Sequence, residues 1–176
     1  SVCEAQALPT DNTEKEMLFS GTIADNLRFG KKDATMEELV QAAKTAQAYD
    51  FIMEKGGFEE HITESATNVS GGQRQRLSIA RALIRRPDVY VFDDSFSALD
   101  FKTDAKLRRM LKKETGNAIV MVVAQRISSI MEADQIIVLN EGSIVGTGTH
   151  KELLENCRIY REIALSQLSE EELSHA

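Results

Sequence analysis

The chain has 176 residues, of which 42% are hydrophobic and 28% are charged, a composition typical of a globular protein with one domain or two small ones. Its formal net charge of −7 disfavours a nucleic-acid-binding surface, which needs clustered lysine and arginine. The longest apolar runs, such as 118–124, are too short to cross a bilayer, and no secretory signal opens the chain. The sequence therefore predicts a soluble chain, so that any membrane role would have to come through a partner.

The two cysteines indicate the redox compartment rather than a metal site. Cys3 and Cys157 are isolated in the sequence and lack the spacing of metal ligands. This pattern favours reduced, structural thiols, as in the cytosol.

The first part of the chain is predicted to be an irregular segment followed by a long helix. Residues 1–16 are polar, with Pro9 and a run of mixed charge, and are expected to be irregular. Thr35 and Glu38 form a capping box, and apolar residues then recur at helical spacing as far as Gly56. The sequence predicts an all-helical segment ahead of residue 70.

The second half alternates strands with helices. Residues 88–94 are a compact apolar strand that ends in acids, and 117–125 are a strand of the fully buried kind. Between them, 102–116 have an apolar stripe formed by Leu107, Met110 and Leu111, which predicts an amphipathic helix. This alternation predicts an α/β fold with a mainly parallel sheet. After it come two strands around a turn at 140–143, a capping box of Thr149 and Glu152 that opens a C-terminal helix, and an acidic tail.

A phosphate-binding helix start is predicted at 70–73. Ser70 and Gln73 can form a capping box with no ligand at all. That interpretation leaves Gly71 and Gly72 unexplained, since each costs roughly 1 kcal/mol of helix stability relative to alanine. Bare amides at a positive helix end are what close approach to a phosphate requires. Three arginines follow on the same helix, and by themselves they suit solvation or ion pairing as well as ligand binding: Arg74, Arg76 and Arg81.

A second candidate site lies at the end of the strand over 88–94. Open parallel sheets bind ligands at the carboxyl ends of their strands, where Asp93 is placed to hold Mg²⁺ through its carboxylate oxygens. Asp94 would then flank the reacting phosphate and orient a water molecule. The alternative is that both acids only solvate the end of the strand.

The order of these motifs resembles the nucleotide-binding domain of ATP-binding-cassette (ABC) transporters of the exporter type. The resemblance covers about residues 17–165. It rests on the segment after the Q-loop at 18–30, the X-loop and signature motif at 62–83, Walker B with the D-loop at 91–100, the switch region at 122–130, and the C-terminal hairpin and helix at 138–154.

The resemblance implies a fold and a division of the chain. It implies the C-terminal portion of an ABC ATPase domain, in which a helical subdomain joins a partial RecA-like core with a mainly parallel sheet and flanking helices. The implied division is an irregular lead-in at 1–16, the helical (signature) subdomain at 17–86, the partial core at 87–165 and the acidic tail at 166–176.

The resemblance also assigns cofactors and residue roles. ATP and Mg²⁺ are the implied cofactors, with a second ABC nucleotide-binding domain and an exporter's transmembrane domain as partners. The implied localisation is the cytoplasmic face of the cell membrane, as part of a membrane transporter. The implied residues are Asp94 and Gln125 for catalysis, Asp93 for the metal, and Ser70, Gly71, Gly72, Gln73 and Asp100 for the nucleotide.

Several departures from the family pattern concern the phosphate loop. The 176 residues contain no GxxxxGK[ST], and the only Gly-Lys pair is Gly30-Lys31, followed by Lys32. Gln6 lies too far upstream of the 18–30 segment to serve as the Q-loop glutamine. We therefore expect the first half of the nucleotide-binding core to lie off this chain, and the likeness to begin at Met17.

Two further departures affect the chain's own ATP site. Asp94 stands where the family has its catalytic glutamate, and Gln125 stands where it has the switch histidine. The aspartate reaches less far, and an amide cannot carry a positive charge. The prediction is the degenerate half of a heterodimeric exporter, which donates an intact signature to its partner's ATP. Alternatives are a non-hydrolysing interaction module and a non-transport ABC ATPase.

Overall fold

The structure is a computed structural model, and it describes residues 2–4, 18–116 and 118–168. The chain divides into two compact units, Ser1–Val123 and Ala124–Ala176. The first unit contains strands β1 (Val2–Glu4), β2 (Gly21–Thr22), β3 (His61–Ile62), β4 (Val89–Asp93) and β5 (Ile119–Val123), and helices α1 (Ile23–Arg28), α2 (Met36–Thr45), α3 (Tyr49–Lys55), α4 (Gly71–Ile84) and α5 (Phe101–Glu114). The second contains strands β6 (Ile136–Asn140) and β7 (Ser143–Gly148) and helices α6 (His150–Asn156) and α7 (Arg158–Gln167).

A parallel sheet confirms the predicted α/β class. Its strand order is β1-β4-β5, and both pairings are parallel. Strand β1 corrects the expectation that all of 1–16 is irregular, because Val2–Glu4 pair with Val89–Val91. That expectation rested on Pro9 and the charged run, which come after this strand. The rest of the lead-in, 5–17, lies outside the described residues.

Capping boxes start the helices where the sequence predicts them. The side chains of Thr35, Ser70 and Thr149 each accept a hydrogen bond from the amide three residues on. The side-chain oxygen of that third residue in turn accepts a hydrogen bond from the backbone amide of the capping residue. Thr22 forms a fourth box at the start of α1. Each box satisfies amides that have no partner inside the helix, so these helix starts are encoded locally.

The predicted long helix after Thr35 is two helices, α2 and α3, so that prediction was wrong about continuity. The break falls at Gln47, whose φ of 56° lies in the left-handed region. The guanidinium of Arg76 donates to the Gln47 carbonyl at 2.7 Å. This hydrogen bond from α4 stabilises a turn that the local sequence does not show. The segment ahead of residue 70 also contains the short β2–β3 pair, so it is not entirely helical.

Helix α4 forms the centre of the first unit. Most of its length is buried, and both α1 and α2 pack against it. Gly30, just after α1, lies close to the α4 backbone: a Cβ atom at this position would overlap the carbonyl oxygen of Arg81. The Gly30-Lys31 pair therefore has a packing role at this corner, because only glycine lets the two backbones approach so closely.

Replacing Gly30 with alanine is expected to lower the free energy of unfolding by about 1–3 kcal/mol, the usual cost of an overpacked core. Urea unfolding of the 176-residue chain, followed by circular dichroism at low protein concentration, measures this. Gly71→Ala is the matched control, since the added Cβ would meet no atom closer than 3.7 Å. Equal stability of the two variants would contradict the close approach at Gly30.

Strand β5 was predicted to be fully buried, and this prediction was wrong. Ile119, Met121 and Val123 are 61%, 53% and 55% exposed. The reason is position, because β5 is the last strand in the order of its sheet among the described residues. A buried-type apolar sequence therefore lies at an open sheet edge.

The second unit is a hairpin covered by two helices. Strands β6 and β7 are antiparallel around the predicted turn, with Ile136 and Val138 facing the helices and buried. The predicted single C-terminal helix is interrupted at Cys157, which is buried and extended, with its thiol 3.8 Å from the Val145 carbonyl. Among the described residues, no helix has the length and apolar character needed to span a membrane.

Candidate functional site

The start of α4 carries the capping box that the sequence predicts. The amide of Gln73 donates to the Ser70 hydroxyl at 3.3 Å, and the Ser70 amide donates to the Gln73 side-chain oxygen at 3.0 Å. These bonds account for the serine and the glutamine without any ligand. In the described part of the chain, the amides of Gly71 and Gly72 donate to no acceptor. Two unpaired N–H groups thus remain at the positive end of a fourteen-residue helix.

The two glycines of this start have different surroundings. A Cβ atom on Gly72 would lie 3.0 Å from the Ala98 carbonyl oxygen, so packing against the turn after β4 explains this glycine. A Cβ on Gly71 would meet the Ala98 methyl at 3.7 Å and the Arg74 guanidinium at 4.0 Å, which are ordinary contacts. Packing among the described residues therefore does not explain the glycine at 71.

The three arginines of α4 bind their own unit. Arg76 donates to the carbonyls of Gly72 and Gln47 and lies over the Phe51 ring at 4.7 Å. Burial lowers the pKa of Arg76, and the charges of Asp100 and Asp50 oppose that shift. Arg74 donates to Ala66, and Arg81 lies 5.9 Å from the rings of both Phe19 and Phe29. These contacts favour a structural role for the arginines over ligand binding.

The two acids lie at the carboxyl end of β4. Asp93 is the last residue of the strand, and Asp94 begins the turn that follows. Asp94 has a φ of 48°, a left-handed conformation that Asp and Asn adopt more readily than other residues with side chains. The Val123 carbonyl accepts from the Asp94 amide at 3.1 Å. The backbone at 94 is thus fixed on β5, and it suits the shorter acid.

The side chain of Gln75 joins this turn to α4 by hydrogen bonds, and the sequence analysis did not identify this residue. Its side-chain amide donates to the Asp94 carbonyl at 3.3 Å and to the Ser97 hydroxyl at 3.1 Å, and its oxygen accepts from the Ala98 amide at 2.9 Å. A signal was present in the sequence, because Gln75 shares a helix face with Ile79. A polar side chain on an apolar face needs buried partners.

Asp100 has a role that needs no nucleotide. Its carboxylate caps α5 by accepting from the amide and the hydroxyl of Thr103, at 2.9 and 2.7 Å. The Thr103 hydroxyl, followed by the amide, holds the pKa of Asp100 below its ordinary value. The predicted contact of Asp100 with nucleotide stays a prediction.

Gln125 lies in the second unit, directly after its first residue. The Gln167 side chain, at the end of α7, donates to the Gln125 carbonyl at 2.9 Å and accepts from the Ile127 amide at 2.8 Å. These two bonds fix the backbone on either side of Arg126. Nothing in the local sequence indicates that Gln167 has this role.

No group of three or more acidic, histidine or cysteine side chains suitable for a metal occurs among the described residues. The prediction for Asp93 does not depend on such a group, since Mg²⁺ in nucleotide sites commonly takes one or two carboxylates and completes its shell with water and phosphate. Asp93 can supply one such carboxylate at the end of its strand. The predicted metal role of Asp93 thus stays a prediction.

A parallel strand that ends in acids, with its turn packed against a glycine-containing helix start, is the arrangement of α/β proteins that bind nucleotides. The family model described as ABC transporter matches residues 6–97. The chain belongs to the ABC transporter family. Because this match begins at residue 6, the likeness extends further upstream than the predicted start at Met17.

Relatives and solved structures agree with this assignment. An uncharacterized ABC transporter ATP-binding protein of Mycobacterium tuberculosis is 50% identical over 157 residues, which are 88% of this chain and 27% of that protein. The mitochondrial potassium channel ATP-binding subunit of Rattus norvegicus is 39% identical over 93% of this chain and 23% of that protein. The solved structure of a bacterial Atm1-family ABC exporter with ATP bound matches with a TM-score of 0.88 and 30% identity, over 96% of this chain and 29% of the other. The chain spans about a quarter of the length of these relatives.

Proposed function

We propose that this chain is part of the ATP-binding domain of an ABC exporter and that it donates its signature motif to ATP held by a second nucleotide-binding domain. The observation that carries the proposal is the start of α4. Its capping box is complete, its first two amides are unpaired among the described residues, and Gly71 has no side chain that could cover them. The proposed division into a helical subdomain at 17–86 and a core at 87–165 follows the family resemblance.

The chain's own residues would act at two places. The amides of Gly71 and Gly72 would bind the terminal phosphate of the partner's ATP, with Ser70 and Gln73 keeping the helix start in shape. Asp93 would hold Mg²⁺ at this chain's own site, where the ion would neutralise phosphate charge. Asp94 would accept a hydrogen bond from water there, and Gln125 would donate one to phosphate.

The proposed home site is weak for chemical reasons. A general base contributes about 10²–10⁴ to a rate, and Asp94 has a shorter reach than the glutamate usual in the family. Gln125 lacks the charge that a histidine could carry. Because these two positions both depart from the family while Ser70–Gln73 keep its pattern, we propose a heterodimer in which the partner's site hydrolyses most of the ATP.

The proposed setting is the cytoplasmic face of a membrane, where a transmembrane domain of the exporter would be the other partner. The test is ATP turnover by the assembled transporter with Gly71 altered, compared with the same transporter altered at Asp94. A turnover that depends on Asp94 at least as much as on Gly71 would overturn the proposal.

The 176-residue chain alone is expected to bind Mg-ATP weakly, with no dissociation constant in the low micromolar range. The backbone amides and lysine of a P-loop normally grip the phosphates, and no GxxxxGK[ST] occurs in these residues. Titration calorimetry with ATP and Mg²⁺ measures the affinity, and Gly71→Asp serves as the control for binding at the helix start. Low-micromolar binding by the unaltered chain would show that it holds its own nucleotide.

A further inference from the structure

One side chain, that of Gln75, takes part in three hydrogen bonds between α4 and the turn after β4. Gln75 is buried, with 6% of its surface exposed. Its amide nitrogen donates to the Asp94 carbonyl and the Ser97 hydroxyl, and its oxygen accepts from the Ala98 amide. The partners lie 19, 22 and 23 residues further along the chain, so these bonds are tertiary.

The same turn lies against the glycines of the signature motif. The Ala98 carbonyl comes within 3.0 Å of the place where a Gly72 Cβ would be, and the Ala98 methyl within 3.7 Å of the corresponding point on Gly71. Asp94, at the other end of the turn, keeps a left-handed backbone. The carbonyl of Asp94 accepts from the Ser97 hydroxyl at 3.0 Å as well as from Gln75.

We propose that Gln75 is a positioning residue that fixes the 94–98 turn against the start of α4, and thereby links the signature motif to the carboxylate at 94. This inference rests on the proposed function, because it assigns Gln75 to the phosphate-binding amides of that site. A side chain that bonds both ends of the turn transmits movement between them, since neither end can shift without breaking a partly buried hydrogen bond.

Two variants separate the bonds of Gln75. Gln75→Met keeps the length of the side chain and removes every hydrogen bond. Gln75→Glu keeps the acceptor for the Ala98 amide and removes the donors to Asp94 and Ser97. Ile79→Val, at a fully buried position of the same helix, is the control for a general loss of core stability.

The first measurement is hydrogen exchange of peptides that contain the Ala98 amide, in the 176-residue chain at low concentration. We expect exchange at least about fivefold faster in Gln75→Met, because the amide loses its acceptor, and less change in Gln75→Glu. Ile79→Val should leave this amide near the unaltered rate. Unchanged exchange in Gln75→Met would overturn the hydrogen-bond assignment without bearing on the proposed function.

The second measurement is ATP turnover by the assembled transporter. Displacing a positioned group can cost up to about 10²-fold in rate, so Gln75→Met is expected to lower kcat by about 10–100-fold while KM stays within about twofold. Gln75→Glu should fall between Gln75→Met and the unaltered protein, and Ile79→Val should keep normal turnover. Faster exchange at Ala98 with normal turnover would overturn the positioning role. Normal turnover in Gly71→Asp would instead overturn the proposed function.

Discussion

Replacing Gly71 with aspartate is expected to lower ATP turnover by the assembled transporter about 10²–10³-fold, the scale of losing a group that stabilises charge on a reacting phosphate. The aspartate would place a negative charge and a side chain over the unpaired amides at the start of α4. The phosphate of ATP that the proposed partner holds could then no longer approach them. Steady-state phosphate release, normalised to correctly assembled complex, measures the effect.

The comparison with Asp94→Asn tests whether the signature motif matters more for turnover than the chain's own acidic residue. Asparagine adopts the left-handed backbone at 94 as readily as aspartate, so the turn should keep its shape and only the charge is lost. We expect a loss of no more than a few-fold, because most turnover is proposed to occur at the partner's site. Gly71→Ala controls for the side chain alone. Equal defects in Gly71→Asp and Asp94→Asn would mean that this chain's own site carries the chemistry.

Features set by nearby residues could be predicted from the sequence. The starts of α2, α4 and α6 follow from capping boxes, in which two side chains three residues apart satisfy each other's amides. The end of β4 at Asp93 follows in the same way, because an apolar run changes to acids there. The local sequence around Ser70, Gly71 and Asp93 is therefore sufficient to predict where α4 begins and where β4 ends.

Features set by distant residues could not be predicted in this way. The break at Gln47 depends on Arg76, which lies 29 residues away, and the backbone at Gln125 is held by Gln167, 42 residues away. The sequence predicts that Gly72 is a glycine because it binds phosphate. The structure adds a second reason, since the Ala98 carbonyl oxygen lies only 3.0 Å from the place where a Cβ atom on Gly72 would be. In each case the decisive partner lies on another element, so local patterns carry no information about it.

The exposure of β5 has a direct consequence for the isolated chain. The strand consists of five consecutive apolar residues, Ile119–Val123, and this pattern is found in central strands and in edge strands alike. The structure places them at the edge of the parallel sheet, with Ile119, Met121 and Val123 on one exposed face. An apolar edge strand with no charge in it is a template for pairing with another chain.

The 176-residue chain is therefore expected to self-associate at micromolar concentration. Met121→Lys places a charge on the exposed face of β5, which should shift the chain strongly towards monomer because a second chain packed on this apolar face would then bury that charge. Leu139→Lys is the matched control, since Leu139 is 67% exposed on the hairpin of the other unit. Size-exclusion chromatography with light scattering measures the masses. If Leu139→Lys gives a monomer and Met121→Lys does not, the chains associate through the hairpin and not through β5. If the unaltered chain is already a monomer, β5 does not mediate self-association.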